Sequence, residues 1–217
     1  MSNPDSFIDE VTEEVRRDRL YGYLRRYGWI AVLLVLLIVG GAAWREYRAA
    51  QEAAQAQAFG TALLQALDAE TPEARIAALE AVEAPNPGGA AVRAMLAAGA
   101  GEEGAADADP ARLSEVATSG ASDIYRRIAS FKALVAGADT MSAEERRIGF
   151  EALAEPGNPL RLLAEEQLAL LDIQAGETDA ALARLEAIAA DAEATQGLRQ
   201  RTSRLIVALG GDSGGAS

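Results

Sequence analysis

Carboxylates are the side chains with which this sequence could do chemistry, because its 217 residues include no histidine and no cysteine. The densest acidic group lies in the stretch GEEGAADADP and comprises Glu102, Glu103, Asp107 and Asp109. Oxygen ligands of this kind suit Ca²⁺, but their spacing matches no EF-hand loop. We therefore interpret the stretch as a solvated loop and expect no metal site.

Two further acidic pairs, Glu144–Glu145 and Glu165–Glu166, stand near predicted helix starts. Negative charge at a helix N-terminus is favoured by the helix dipole, so we expect capping and surface roles for both pairs. A general acid and base would need two carboxylates with separated pKa values in one cleft, and the sequence places no such pair.

The missing residue types exclude several classes of enzyme. Without histidine and cysteine the chain has no Ser-His-Asp triad, no thiolate nucleophile and no thiolate or imidazole zinc site. Phosphate-binding motifs are absent because no glycine-rich loop follows a strand. A formal charge of −13 and a pI near 4.5 oppose nucleic-acid binding, which needs a basic surface. We expect a binding protein without a cofactor rather than an enzyme.

Helices must position the functional side chains of this chain, because its sequence pattern is helical throughout. Alanine fills 49 positions, and apolar residues recur at intervals of three and four with no plausible strand. Start and stop signals predict helices at roughly 45–69, 72–84, 89–98, 110–118, 122–137, 142–155, 159–175, 178–193 and 196–209. The predicted fold class is all-α: a single N-terminal transmembrane helix followed by a tetratricopeptide-like solenoid of helical hairpins.

Residues 27–44 read YGWIAVLLVLLIVGGAAW and carry no charge. A helix of this length spans about 27 Å, close to the thickness of a bilayer core. Six of the seven Trp and Tyr residues lie at or just outside its ends, as in the aromatic belts of membrane proteins. The predicted interface anchors are Arg25, Arg26, Tyr27, Trp29, Trp44, Arg45 and Tyr47. Two alternatives are a cleaved signal peptide ending near Gly41-Ala42-Ala43 and a buried helix of a soluble core.

Arginine placement predicts the orientation of this span. Five arginines precede it and two fall in the 20 residues after it, which indicates a cytoplasmic N-terminus. In a bacterial inner membrane the larger C-terminal part would then be periplasmic, and residues 45–217 carry a net charge of −12. The leader, residues 5–26, has the pattern of an amphipathic helix that either lies on the membrane surface or docks on a partner.

The clearest repeat unit occupies residues 161–194. Its spacing resembles a tetratricopeptide repeat through the signature residues Leu168, Ala169, Gly176, Ala181, Leu185 and Ile188. The two small alanines allow close helix approach, and Gly176 permits a tight turn. Asp172 departs from the pattern because an aromatic residue is common at its position.

The layout as a whole resembles a known family. The leader segment FIDEV, an arginine-rich approach to RRYGW, one span and an Ala-rich helical domain are similar to the YfgM-type ancillary Sec translocon subunits. The external domain of that family is shared with the cell-division coordinator family. The resemblance implies an inner-membrane protein that associates with the Sec translocon and with periplasmic chaperones of exported proteins, and it implies no catalytic residues.

These observations divide the chain into a cytoplasmic leader (1–26), a transmembrane helix (27–44), a periplasmic helical domain (45–209) and a disordered tail (210–217). The leading hypothesis is a membrane-anchored scaffold whose concave, acidic groove binds other proteins. The alternative is a structural accessory subunit of an inner-membrane complex, bound through its span and leader. The lipid bilayer is a partner in both.

Overall fold

A computed structural model describes the backbone of residues 4–101 and 108–211, and the side chains of these residues from Arg25 onward except that of Ala31. Within these ranges the secondary structure is helical and no strand occurs, which confirms the all-α prediction. The helices are α1 (Pro4–Leu67), α2 (Pro72–Ala81), α3 (Pro87–Ala98), α4 (Pro110–Ala117), α5 (Asp123–Ala136), α6 (Ala143–Leu153), α7 (Arg161–Ala175), α8 (Thr178–Ala190) and α9 (Gln196–Ala208). A 3-10 turn, Gly137–Asp139, follows α5.

The chain divides into two compact units, Met1–Gln57 and Ala58–Ser217. The residues from Arg25 to Leu67, which run from the first unit into the second, belong to a helix long and apolar enough to cross a membrane, with a mean hydropathy of 2.1 in its most apolar window. A membrane span and a signal sequence share these properties. Because α1 continues without a break to Leu67, the predicted domain boundary at residue 45 falls inside a helix.

The helix starts of the second unit follow from their capping residues. Proline begins α2, α3 and α4, where its missing N–H costs no intrahelical hydrogen bond. Before each of these helices a polar side chain accepts hydrogen bonds from first-turn amides: Thr71, Asn86 and Asp109. Asp109, the described member of the predicted acidic loop, is therefore the N-cap of α4. The rest of that loop, residues 102–107, lies outside the described residues.

Helices of the second unit pack in chain order. From α2 to α9 each helix contacts the one that follows it, and α3 also contacts α5. Successive hydrophobic clusters join the end of α1 to α2 and α3, then α3 to α5, α5 to α7, and α7 to α9. The result is a continuous helical array in which each core segment shares helices with the next.

Two glycines set the geometry of this array. Gly176 ends α7 at φ +80°, and the N–H of Glu177 closes the turn by donating to the Asp172 carbonyl at 2.8 Å. Gly149 allows α6 to approach α5, because a Cβ at this position would lie 2.5 Å from Leu134 Cδ2. Both positions exclude larger side chains, the first by conformation and the second by space.

The chain ends are described in part. The backbone of the leader belongs to α1, which begins at Pro4, and the leader side chains lie outside the described set. Gly210 and Gly211, assigned to the tail by the sequence, close α9: Gly210 takes φ +83° and Gly211 N–H donates to the Ile206 carbonyl at 2.9 Å. Residues 212–217 lie outside the described residues.

Candidate protein-interaction surfaces

A groove of about 540 Å³ runs along α3 between α2 and α4. Its floor is apolar and consists mainly of small side chains: Ala90, Ala91, Ala94, Ala97, Val116 and Ala121. Ala90, Ala94 and Ala97 share one helix face because they are spaced by four and three residues. Methyl groups fill little of the space between the flanking helices, so the groove remains open to side chains from outside.

Four charged residues line the rim of this groove. Arg112 on α4 forms an ion pair with Glu80 on α2, while Arg93 Nη1 donates to the Val82 carbonyl at 2.7 Å. Glu115 completes the set. The charges of the two arginines and the two glutamates cancel. The groove is therefore not the acidic surface expected from the net charge of the domain. Apolar contact, rather than long-range attraction, is what this surface offers a partner.

The repeat signature residues lie in the core. Leu168, Ala169, Ala181, Leu185 and Ile188 are all buried. Ala169 and Leu185 pack in one cluster with Ile206 of α9, and Ile188 packs in another with Leu198. These residues hold α7, α8 and α9 together and leave no side chain free to contact a partner.

Asp172 is buried at the centre of an ion-pair network. Its two carboxylate oxygens accept hydrogen bonds from Arg147 of α6 at 2.7 Å and from Arg184 of α8 at 3.2 Å. Arg184 also pairs with Glu165 of α7 at 2.5 Å. The residue that departs from the repeat pattern therefore joins three consecutive helices by charge instead of by an aromatic ring.

The surface role expected for the Glu165–Glu166 pair is wrong. Because α7 begins at Arg161, both glutamates lie beyond its first turn. Glu166 is buried and accepts two hydrogen bonds of 2.8 Å from Arg201 of α9. The bidentate pair ties α7 to α9, and the sequence carried no sign of it because the partner is 35 residues away.

In the other acidic pair, Glu144–Glu145, Glu145 has the expected capping role at the start of α6. Ser142 and Glu145 form a capping box in which the carboxylate accepts from the Ser142 N–H at 2.9 Å. Hydrogen bonds from the Ser142 hydroxyl and backbone lower the pKa of Glu145. At the end of α8 the Arg161 guanidinium likewise lowers the pKa of Asp191, to which it donates a hydrogen bond of 2.9 Å.

The predicted membrane anchors lie on α1. All seven are solvent-exposed: Arg25, Arg26, Tyr27, Trp29, Trp44, Arg45 and Tyr47. At the C-terminal end of the apolar stretch, Arg48 lies over the Trp44 ring, 5.2 Å from its centroid. Gln51 donates a hydrogen bond of 2.9 Å to the Tyr47 hydroxyl. Sequence analysis missed the contacts of Arg48 and Gln51, although each residue follows its aromatic partner by four residues, which was a usable signal.

Among the described residues no group of three or more acidic side chains has the arrangement of a metal site. Comparisons with known proteins add no identification: no family model, no characterised protein and no solved structure matches this chain.

Proposed function

We propose that this chain is a single-pass membrane protein that holds other proteins close to the bilayer. The apolar part of α1 is the anchor, and the α3 groove accepts apolar side chains of a partner segment. By the resemblance described above, the membrane is a bacterial inner membrane with the N-terminus in the cytoplasm and the helical array in the periplasm. The expected partners are then the Sec translocon and periplasmic proteins or chaperones.

The observation that supports this proposal is the open groove along α3, whose floor consists mainly of alanines. Elsewhere the array fills its interhelical space with large side chains such as Phe150 and Leu168, both fully buried. The α3 groove instead leaves about 540 Å³ open above alanine methyls. That volume accommodates roughly two or three side chains of leucine or phenylalanine size, and their burial would stabilise a complex by about 1.5–3 kcal/mol each before the costs of association.

A photocrosslinking experiment in intact membranes tests the groove. A photoreactive amino acid replaces Glu115 at the groove rim, and a second variant carries it at Glu151, an exposed position of α6. We expect discrete crosslinked partners, identified by mass spectrometry, from position 115 and none of the same partners from position 151. Equal products from both positions would contradict the proposal.

Filling the groove provides an independent measurement. The substitution A94F places a large ring on the floor, and A152F places the same ring on the exposed face of α6. We expect A94F to abolish the position-115 crosslinks and A152F to leave them unchanged. Circular dichroism of both variants establishes that the helical array remains folded.

A second candidate function is that of an accessory subunit bound through α1 itself. Its support is that the large apolar side chains described between Val32 and Val39 are exposed to at least 47%. Replacing residues 27–44 with an unrelated transmembrane sequence distinguishes the two candidates. Retained crosslinking from position 115 favours the groove, whereas its loss favours recognition through the membrane helix.

A further inference from the structure

Beyond its apolar stretch, α1 continues as a helix with two different faces. Between Arg45 and Gln57 one face carries polar side chains that include Arg48, Gln51 and Gln55, and the other carries alanines at positions 49, 50, 53, 54 and 56. The side chains of both faces are exposed. Water solvates the polar face, whereas the alanine face gains free energy only when a second apolar surface covers it.

The alanine face belongs to a longer row of residues, which we call the seam. Glu46, Ala49, Ala53 and Ala56 are separated by three, four and three residues. The same alternation continues toward the N-terminus through five residues of the apolar stretch: Ala42, Val39, Val35, Val32 and Gly28. A mean spacing of about 3.5 residues keeps a row on one side of a helix and is the spacing of the a and d positions of a coiled coil. The whole seam lies within the first compact unit, Met1–Gln57.

Within the apolar stretch the seam differs in residue type from the rest of the helix surface. Its valines, which are 56–61% exposed, are β-branched and lose little rotamer freedom when they pack. The leucines of the stretch all fall outside the seam: Leu33, Leu34, Leu36 and Leu37. Interfaces between helices in lipid are enriched in small residues that allow close approach. The seam is therefore suited to a helix, and the leucines are suited to lipid.

The polar position of the seam carries a charge with a complementary neighbour. Neither Arg45 nor Glu46 forms an ion pair with another described residue. Because three residues separate Glu46 from Ala49, Glu46 is an a position. In a parallel pair of helices a side chain at a packs into a hole of four partner residues, one of which immediately precedes the same position. Glu46 of one copy would then meet the partner's Arg45, and two-fold symmetry forms this ion pair twice.

We propose that a second copy of this chain packs along the seam, so that two α1 helices form a parallel dimer over about 42 Å. This inference rests on the proposed single-pass anchor, because a common orientation in the membrane makes the two helices parallel. The segment 45–57 alone is too short to hold two helices together, so the pairing depends on the span. Each dimer presents two α3 grooves, which would strengthen its binding of a partner that carries two matching segments.

Disulfide crosslinking of single-cysteine variants tests the pairing, because the chain has no cysteine of its own. The full chain carries A49C, A53C or A56C on the seam, or Q51C or Q55C on the opposite face, and intact membranes are treated with copper phenanthroline. We expect disulfide-linked dimers from the three seam positions and none from the two glutamine positions, since a disulfide needs Cα atoms within about 7 Å. Equal crosslinking at all five positions, or none at any, would overturn the proposal.

Charge reversal tests the register of the two helices. In the A53C background, R45E or E46R places like charges at the seam, and we expect either to slow crosslinking about tenfold. The double variant R45E/E46R exchanges the two charges and is expected to restore the original rate. A double variant as slow as the single variants, or single variants as fast as A53C alone, would overturn the proposed dimer.

Extraction of the same membranes with alkaline carbonate separates this inference from the proposed function. If the chain stays in the membrane but the seam cysteines do not crosslink, the dimer alone is wrong, and the anchor and the α3 groove stand. If carbonate releases the chain, the membrane anchor is wrong, and the dimer is wrong with it. Single-molecule photobleaching of dye-labelled Q51C is expected to show at most two steps, and a third step would overturn the dimer.

Discussion

Arg147 Nη1 on α6 donates a hydrogen bond of 2.7 Å to the buried carboxylate of Asp172 on α7. The second oxygen of the same carboxylate binds Arg184 on α8, so one acidic side chain joins three successive helices. Asp172 is 1% exposed, and its backbone carbonyl also accepts the hydrogen bond that ends α7. Burial of a carboxylate is tolerated here because both oxygens have cationic partners.

The first prediction concerns removal of this charge. D172N leaves Arg147 and Arg184 without their shared anion, and we expect the free energy of unfolding to fall by about 2–3 kcal/mol. This loss of stability is smaller than the loss expected on breaking a fully buried ion pair, because the side chains of both arginines are about a quarter exposed. Urea unfolding of the full chain in detergent, followed by circular dichroism, measures the loss.

D179N serves as the matched control for that measurement. Asp179 is exposed on α8, and the same substitution there is expected to change stability by less than about 0.5 kcal/mol. If D172N and D179N unfolded at the same urea concentration, the network would contribute nothing to the array.

Helix boundaries could be predicted from the sequence, whereas the ion pairs between helices could not. Thr71, Ser142 and Thr195 precede helices in the sequence and cap them in the structure, because capping depends on residues only three positions away. The partner of Asp172 on α6 is 25 residues distant, and that of Glu166 is 35 residues distant. Such pairs depend on which helix faces meet, and local patterns do not determine that.

The helix C-termini illustrate the same limit. None of the helices α2 to α9, each described from end to end, has a basic residue in its last turn. Arginines from elsewhere in the chain contact several of the free carbonyls: Arg93 donates to Glu80 and Val82 at the end of α2, and Arg146 donates to Leu134 in the last turn of α5. Cations near helix C-termini are favourable, but sequence reasoning looks for them within the same helix.

The second prediction compares two glycine-to-alanine substitutions in helices. G149A introduces a Cβ about 2.5 Å from a methyl of Leu134, which is itself buried, so we expect a loss of roughly 1–3 kcal/mol through overpacking. G60A meets no atom within 4 Å, and we expect it to stabilise α1 by about 0.5–1 kcal/mol.

Thermal and urea unfolding of the two variants decide between packing and helix propensity. If helix propensity alone governed these sites, both substitutions would stabilise the protein. The double variant G149A/L134A is expected to lose less stability than the two single substitutions added together, since the smaller side chain removes the clash.

The third prediction concerns acid stability at the start of α6. The Ser142 hydroxyl lowers the pKa of Glu145 below its ordinary value of 4.5 in the folded state. The carboxylate therefore contributes stability that is fully present above pH 4.5 and is lost as the pH falls through the lowered pKa. We expect E145Q to be less stable than the unsubstituted chain at neutral pH and equal to it at low pH.

Unfolding free energies measured at intervals between pH 2 and 7 test this dependence. E144Q, which leaves the capping box intact, is expected to retain the acid-induced loss. S142A removes the capping hydroxyl and is expected to cost about 1 kcal/mol at neutral pH. A constant difference between E145Q and the unsubstituted chain at every pH would contradict the assigned role of the carboxylate.

The last prediction asks where the folded domain begins. The described side chains from Arg45 to Gln57 are exposed, whereas Phe59, Leu63 and Ala66 pack with Leu79 of α2. We therefore expect fragments 45–217 and 58–217 to be helical, soluble and equally stable. Fragment 68–217 loses the α1 side chains that cover Leu79, and we expect its free energy of unfolding to fall by roughly 3–6 kcal/mol, with the effect concentrated in α2 and α3.

Hydrogen exchange locates that loss of stability, since amides of α2 and α3 should lose protection while those of α7 to α9 retain it. Greater stability of 45–217 than of 58–217 would show that residues 45–57 belong to the domain, as the sequence had suggested.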